Sequence, residues 1–381
     1  MPLSPQTGPS RPKRQRTDDS DLGVASTRSV VRDEKIWYDD GNIVVCAVSI
    51  GNGEGLLYGC RCHASVLAEL SPVLKARLAL PSAEDDMLDG ARCIDLDDAW
   101  EDVRDTLRLL YGRISIAFER RHHETIGLIA GSLRLAAKYE MDEILLQLAP
   151  LLERDWPIEY AEWERSEAEL KRRDEEQKNA AERDGLPFVQ NVQQDPAAVL
   201  QVAQQARIRS VLPAVFYELC RRDIGGGTKE RPLNTALLSR DDFQRITIGR
   251  ERLAAATQKH LVERILHHLS RSHVPLLDGE QCTKAGAGDS ERNRSACIQP
   301  LHEWWGELYV RNAPYISHKD PLGAVDRVCQ FLLVREGAGG HVVHVRVCEV
   351  CRGALARLMR SQAQKLWDEL PKVFDLNTLL I

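Results

Sequence analysis

The chain has 381 residues, 43% hydrophobic and 28% charged, enough for two or three ordinary domains and unlike a disordered protein. A net charge of −6 is mild and gives no reason to expect wholesale nucleic-acid binding. No apolar stretch approaches the roughly 20 residues that span a bilayer; the run from Ile144 to Leu152 is far shorter and includes Gln147 and Pro150.

The opening residues lack the apolar core of a secretory signal, and Asp18, Asp19 and Asp21 make them unlike a transit peptide. An intracellular protein of the nucleus, the cytoplasm or both is therefore expected. The ten cysteines are spread along a long chain, which argues against a disulfide framework. Residues 1–36 are rich in Pro, Ser, Arg and Asp and read as a disordered segment. Within it Lys13, Arg14 and Arg16 form a basic cluster that fits a nuclear import signal and equally an ordinary solvated charge run.

Ordered structure is expected to begin at Trp37. Asp40-Gly41 makes a turn before the strand-like run Asn42–Ser49, and a glycine-rich turn at residues 51–55 leads to a partner strand over residues 56–62. Two short helices follow. Ser65 is a candidate cap for the first, with Val66, Leu67 and Leu70 inside, and Ser71-Pro72 starts the second, with Val73, Leu74, Ala76, Leu78 and Leu80. Asp89-Gly90 turns into a third strand over residues 91–96, and Asp98 with Glu101 resembles a capping box. Trp100, Val103, Leu107, Leu110 and Tyr111 predict an amphipathic helix, and Glu124–Leu152 predicts two more. Pro157 closes the unit.

Residues 158–194 include a stretch, Glu164–Asp184, with charges of both signs and almost no apolar stripe; it reads as an exposed helix or a linker separating domains. Residues 195–270 return to helical patterning, with Asp195-Pro196 and Ser239/Asp242 as start signals and Phe243, Ile246, Leu253, Leu261 and Ile265 as core candidates. Residues 271–381 form a further helical region. The fold class is thus α+β: a short sheet covered by helices, then a mainly α-helical remainder.

Several of these residues together resemble a known family. The stretches Trp37–Val45, Cys62–Ala68, Ser71-Pro72-Val73, Cys93–Leu96 and Leu135–Tyr139 are similar, in order, to the signposts of BTB/POZ domains. Asp40, Gly41, His63, Leu67, Ser71, Pro72 and Tyr139 fall on the matching positions. The likeness covers residues 37–157, and the whole layout resembles BTB proteins abundant in mushroom-forming fungi, including the ending Trp367–Phe374. Leu74 stands where the family usually has Phe, and residues 1–36 lack the N-terminal helix of long-form BTB dimers.

The resemblance implies a protein–protein interaction module that pairs with itself or with other proteins. No Gly-x-Ser-x-Gly, Walker, Gly-x-Gly-x-x-Gly or His-Glu-x-x-His sequence is present, nor a recognition helix or zinc-finger sequence, so no catalytic activity, small-molecule substrate or direct nucleic-acid contact is expected. Two roles are open within that class: substrate adaptor on a cullin-type ubiquitin-ligase scaffold, or nuclear regulatory factor. A thiol- or metal-dependent enzyme is the rival from another class.

His63 follows Cys62, but neighbouring strand residues point to opposite faces, so a Cys/His nucleophile pair is not expected. Cys348 and Cys351 form a Cys-x-x-Cys, half of a tetrahedral zinc site, with Cys282 and Cys297 as the natural second pair and His302, His341 and His344 as substitutes. Three readings stand at this point: a structural zinc, a set of buried thiols, or a redox pair.

Overall fold

A computed structural model describes residues 29–49, 55–81, 87–113, 120–185, 194–223, 233–270, 282, 295–311, 319–333 and 347–376. Among the described residues a small five-stranded sheet lies near the N-terminus, and every long element after residue 100 is helical. The strands are β1 (Val31–Trp37), β2 (Ile43–Val48), β3 (Leu57–Cys62), β4 (Met87–Leu88) and β5 (Ala91–Ala99). They are ordered β1-β3-β2-β5-β4. β2 and β3 form an antiparallel hairpin, with Ile43 level with Cys62 and Val48 level with Leu57. β5 lies parallel to β2 on its other side, and β1 parallel to β3.

One expectation is corrected by the sheet and another is extended. Order begins before Trp37, because residues 31–36 belong to β1. Its inward positions are Asp33 and Ile36, both buried, and Asp33 is held by Arg108. Asp89-Gly90 does not simply lead into one strand. It is the two-residue turn of a β4–β5 hairpin, with φ of 51° and 76°, a combination that favours this Asp-Gly pair.

Between β3 and β4 lie α1 (Ala64–Leu70) and α2 (Pro72–Leu78). The first residue of α1 is capped from outside: Asn42 Oδ1 accepts from the Ala64 N–H at 2.8 Å, so Ser65 is not its cap. Ser71 caps α2 as expected, accepting from Leu74 N–H. Only Leu74 of α2 is fully buried; Val73 and Leu80 are exposed.

Three helices complete the N-terminal unit: α3 (Trp100–Leu110), α4 (His123–Lys138) and α5 (Asp142–Asp155). Trp100, Val103, Leu107, Ile126, Ile129, Leu133, Ala136, Ile144 and Leu148 are all buried, as their spacing predicts. Asp98 and Glu101 make no capping box, since Ala99 is the N-cap of α3 and gives no side-chain bond. The Asp98 carboxylate instead accepts from the Tyr139 hydroxyl and Lys138.

The charged stretch expected to separate domains is one helix, α6 (Tyr160–Asp184), and its first half is embedded. Tyr160, Trp163 and Ser166 are buried. The helix lies beside α8 (Leu212–Arg221), α12 (Pro321–Leu333) and α13 (Glu349–Val373). Trp163 meets Tyr217 and Trp367 at ring distances of 5.7 and 5.8 Å. Trp367 also donates its indole N–H to the Ile158 carbonyl. The ending Trp367–Phe374 is therefore core, with Leu370 and Phe374 buried.

The remaining helices are α7 (Pro196–Gln205), α9 (Arg240–Thr257), α10 (Arg264–Ser270) and α11 (Ser295–Arg311), with a π-helical turn over Gln258–Glu263. Asp195 and Ser239 cap α7 and α9 as expected. Phe243, expected in the core, is 36% exposed.

Candidate metal centre

Cys348 is the N-cap of α13, and Cys351 is its third residue. This placement turns both side chains toward the open end of one helix, where backbone N–H groups lack helical partners. The Cys351 N–H donates to Cys348 Sγ at 3.5 Å. Cys297, near the start of α11, comes alongside and accepts from the Cys348 N–H at 3.4 Å. Cys282 completes the group, with its sulfur 3.5 Å from Cys297 Sγ and 3.6 Å from Cys348 Sγ. All four sulfurs lie within 4.8 Å of one another.

Cys297, Cys348 and Cys351 are buried, and Cys282 is half-buried. Burial pushes the Cys297 thiol up to about 11 and raises Cys351 as well. Such thiols keep their protons near neutrality unless a cation reverses the balance, as a coordinated metal does. The same burial bears on the redox reading: Cys348 and Cys351 are 7% and 3% exposed, leaving little access for thiol–disulfide exchange.

His302 lies on α11 outside the group of ligating side chains. His341 and His344, and the basic cluster at Lys13–Arg16, lie outside the described residues. Among the described residues no other set of three or more Cys, His, Asp or Glu side chains converges in this way.

The residues matching the BTB signposts occupy joints rather than a cleft. Gly41 closes the turn through its N–H to the Tyr38 carbonyl. A Cβ there would lie 2.9 Å from the Cys62 carbonyl oxygen, so a side chain would disturb the β2–β3 pairing. His63 sits where β3 passes into α1. Its Nδ1 is 3.1 Å from the Tyr111 hydroxyl and its Nε2 is 3.3 Å from Asp40. Burial pushes the neighbouring Cys62 thiol up to about 12, which removes it as a nucleophile near neutrality. Leu67 is buried under the sheet, Pro72 takes the first position of α2, and Ser71 bonds the Tyr139 carbonyl.

Sequence reasoning missed a second polar cluster. Arg221 on α8 lies within 2.9 Å of Glu167, 2.7 Å of Glu218 and 3.2 Å of Asp320. Glu167 also meets Arg121 at 2.9 Å. Tyr217 donates to Asp320 and accepts from the Leu322 N–H. These residues are over 200 positions apart at the extremes, so only the fold assembles them. Burial and opposed charges make this an internal tie among α6, α8 and the start of α12.

Compared with family models, curated proteins and solved structures, the chain matches none.

Proposed function

We propose that the chain is a protein–protein interaction protein rather than an enzyme, acting through a BTB/POZ-type unit over residues 31–155 that pairs with a second copy of itself. The observation carrying this reading is the connectivity of the sheet. A β2–β3 hairpin is followed by the α1–α2 pair, then by β5 laid parallel to β2, then by three helices. That is the order the resemblance leads one to expect, and the signpost residues sit at its joints.

The sheet also offers a surface for a partner. Val31, Val48 and Leu56 are 42%, 44% and 40% exposed. By register they share one end of the sheet, Val31 being level with Tyr58 and Val48 with Leu57. Beside them β1 is an edge strand of the sheet among the described residues, and an edge strand is a recurrent template for pairing with another chain. A two-fold contact between copies would cover both features, two-fold dimers being the commonest soluble assembly.

Within this reading the helical half selects a protein to be delivered, and the N-terminal unit engages a scaffold of the cullin type. Light scattering on the full chain across a dilution series tests the association: a dimer is expected. Val31→Asp with Val48→Asp should shift it to monomer without changing its helical content. A strict monomer at high concentration, with no scaffold protein co-purifying with the tagged chain, would overturn the reading.

A further inference from the structure

We propose that Cys282, Cys297, Cys348 and Cys351 together bind one zinc ion in a closed, structural four-sulfur site. The inference is independent of the interaction reading above.

Geometry comes first. A tetrahedron of thiolates around zinc, with Zn–S of ~2.3 Å, sets neighbouring sulfurs ~3.8 Å apart. Two of the sulfur pairs are 3.5 and 3.6 Å apart, and all four sulfurs fall within 4.8 Å. Changes of about an ångström or less in the sulfur separations would close the shell. A disulfide accounts for the group poorly: its sulfurs would be about 2.05 Å apart, and Cys282 stands almost equally near two candidates. A disulfide would also use only two of the four.

Ordinary packing of buried thiols accounts for it poorly as well. Cys46, Cys60, Cys62, Cys93, Cys220 and Cys329 are also buried, along strands and helices, yet none of them joins a convergent set of ligating side chains among the described residues. The four that do converge come from three separate places in the chain, 15 and 51 residues apart at the successive steps. Apolar burial has no reason to gather thiols in that way.

The surroundings suit thiolates. Two backbone N–H groups, of Cys348 and Cys351, point at sulfur atoms, and the positive end of α13 faces the cluster. Such outer bonds orient ligands and offset their charge. Four soft sulfur donors in a tetrahedral array select zinc over magnesium or calcium. Because all four positions are filled by protein, no site remains for water, which distinguishes a structural ion from a catalytic one. The ion would tie the segment carrying Cys282 to the start of α11 and the start of α13.

The test uses the full chain, purified without chelator. Elemental analysis should find roughly one zinc per chain, as a four-cysteine site requires. Replacing zinc by Co²⁺ should give the intense visible bands of a tetrahedral sulfur site. Cys351→Ser and Cys282→Ser should each lose most of the metal, whereas Cys329→Ser, a buried thiol elsewhere on α12, should retain it. If the variants at Cys351 and Cys282 fail to fold, the Co²⁺ spectrum of the unaltered chain decides alone. Chain that lacks zinc and gives no such bands on adding Co²⁺ would overturn the proposal, as would iron in place of zinc. A metal-free dimer would leave the interaction reading standing.

Discussion

The Ser71 hydroxyl donates a hydrogen bond to the carbonyl oxygen of Tyr139, 68 residues further along the chain. The Ser71 hydroxyl oxygen itself accepts from the Leu74 N–H at 3.0 Å, so one buried side chain both caps α2 and closes the end of α4. Tyr139 in turn donates its hydroxyl to Asp98 at the end of β5, at 2.6 Å. Three elements of the N-terminal unit thus meet through two residues.

Ser71→Ala removes the cap and leaves a buried carbonyl without its donor, so a loss of about 1–3 kcal/mol is expected in urea unfolding. Ser71→Asp keeps an acceptor for the Leu74 N–H but, once ionised, cannot donate to Tyr139. It should therefore fail to rescue. Stability within a few tenths of the unaltered protein for both variants would show the contact to be replaceable.

What the sequence made legible follows from how local each signal is. Ser71-Pro72, Asp195-Pro196 and Ser239/Asp242 announce helix starts within four residues, and each cap forms as read. β1 was hidden because Arg32, Asp33, Glu34 and Lys35 look like a solvated run. Yet Asp33 is turned inward and satisfied by Arg108 and by its own Lys35 and Ile36 N–H groups. Asp98 was misread because its partners, Tyr139 and Lys138, are some forty residues away. The Cys-x-x-Cys could be read directly, and Cys282 and Cys297 stood beside three histidines as its completion. The convergence of the four cysteines required a fold that no spacing rule supplies.

The Arg221 cluster makes a sharper test of tertiary electrostatics. Its side chain is 11% exposed and Glu167 12%, so solvent screens the pair weakly. The three adjacent carboxylates hold the guanidinium charge firmly despite burial. Arg221→Met should cost about 3 kcal/mol by leaving the buried carboxylates short of their shared counter-charge, with Glu167 keeping Arg121. Adding Glu167→Gln should return part of that loss, giving a non-additive double-mutant cycle by chemical denaturation. Strict additivity would show that the two side chains do not interact energetically.

Acid stability should carry the signature of Glu369. Its carboxyl is held below the usual 4.5 by the Lys259 ammonium at 2.8 Å, with His260 Nε2 also 3.1 Å away. A depressed carboxyl stabilises the fold above its unfolded pKa, and that contribution disappears as pH falls through the folded value. Thermal scans from pH 6 downward, about where carboxylates begin to matter, should show a shallower acid decline for Glu369→Gln than for the unaltered chain. Identical slopes would mean that Lys259 and His260 do not hold the carboxylate in solution.

The strand that the sequence concealed gives the last test. A chain beginning at Trp37 lacks Ile36, which is fully buried, and Asp33, the partner of Arg108. It also strips β3 of its neighbour on one side and removes Val30, which fits over Gly59 closely enough that a Cβ there would lie 2.7 Å from it. Loss of one buried aliphatic side chain alone costs about 2–5 kcal/mol, and an exposed strand edge adds a tendency to aggregate. A chain beginning at residue 29 should therefore melt like the full protein, while one beginning at Trp37 should melt well below it. Equal melting temperatures would mean that β1 contributes no net stability, and the ordered unit would then begin at Trp37 after all.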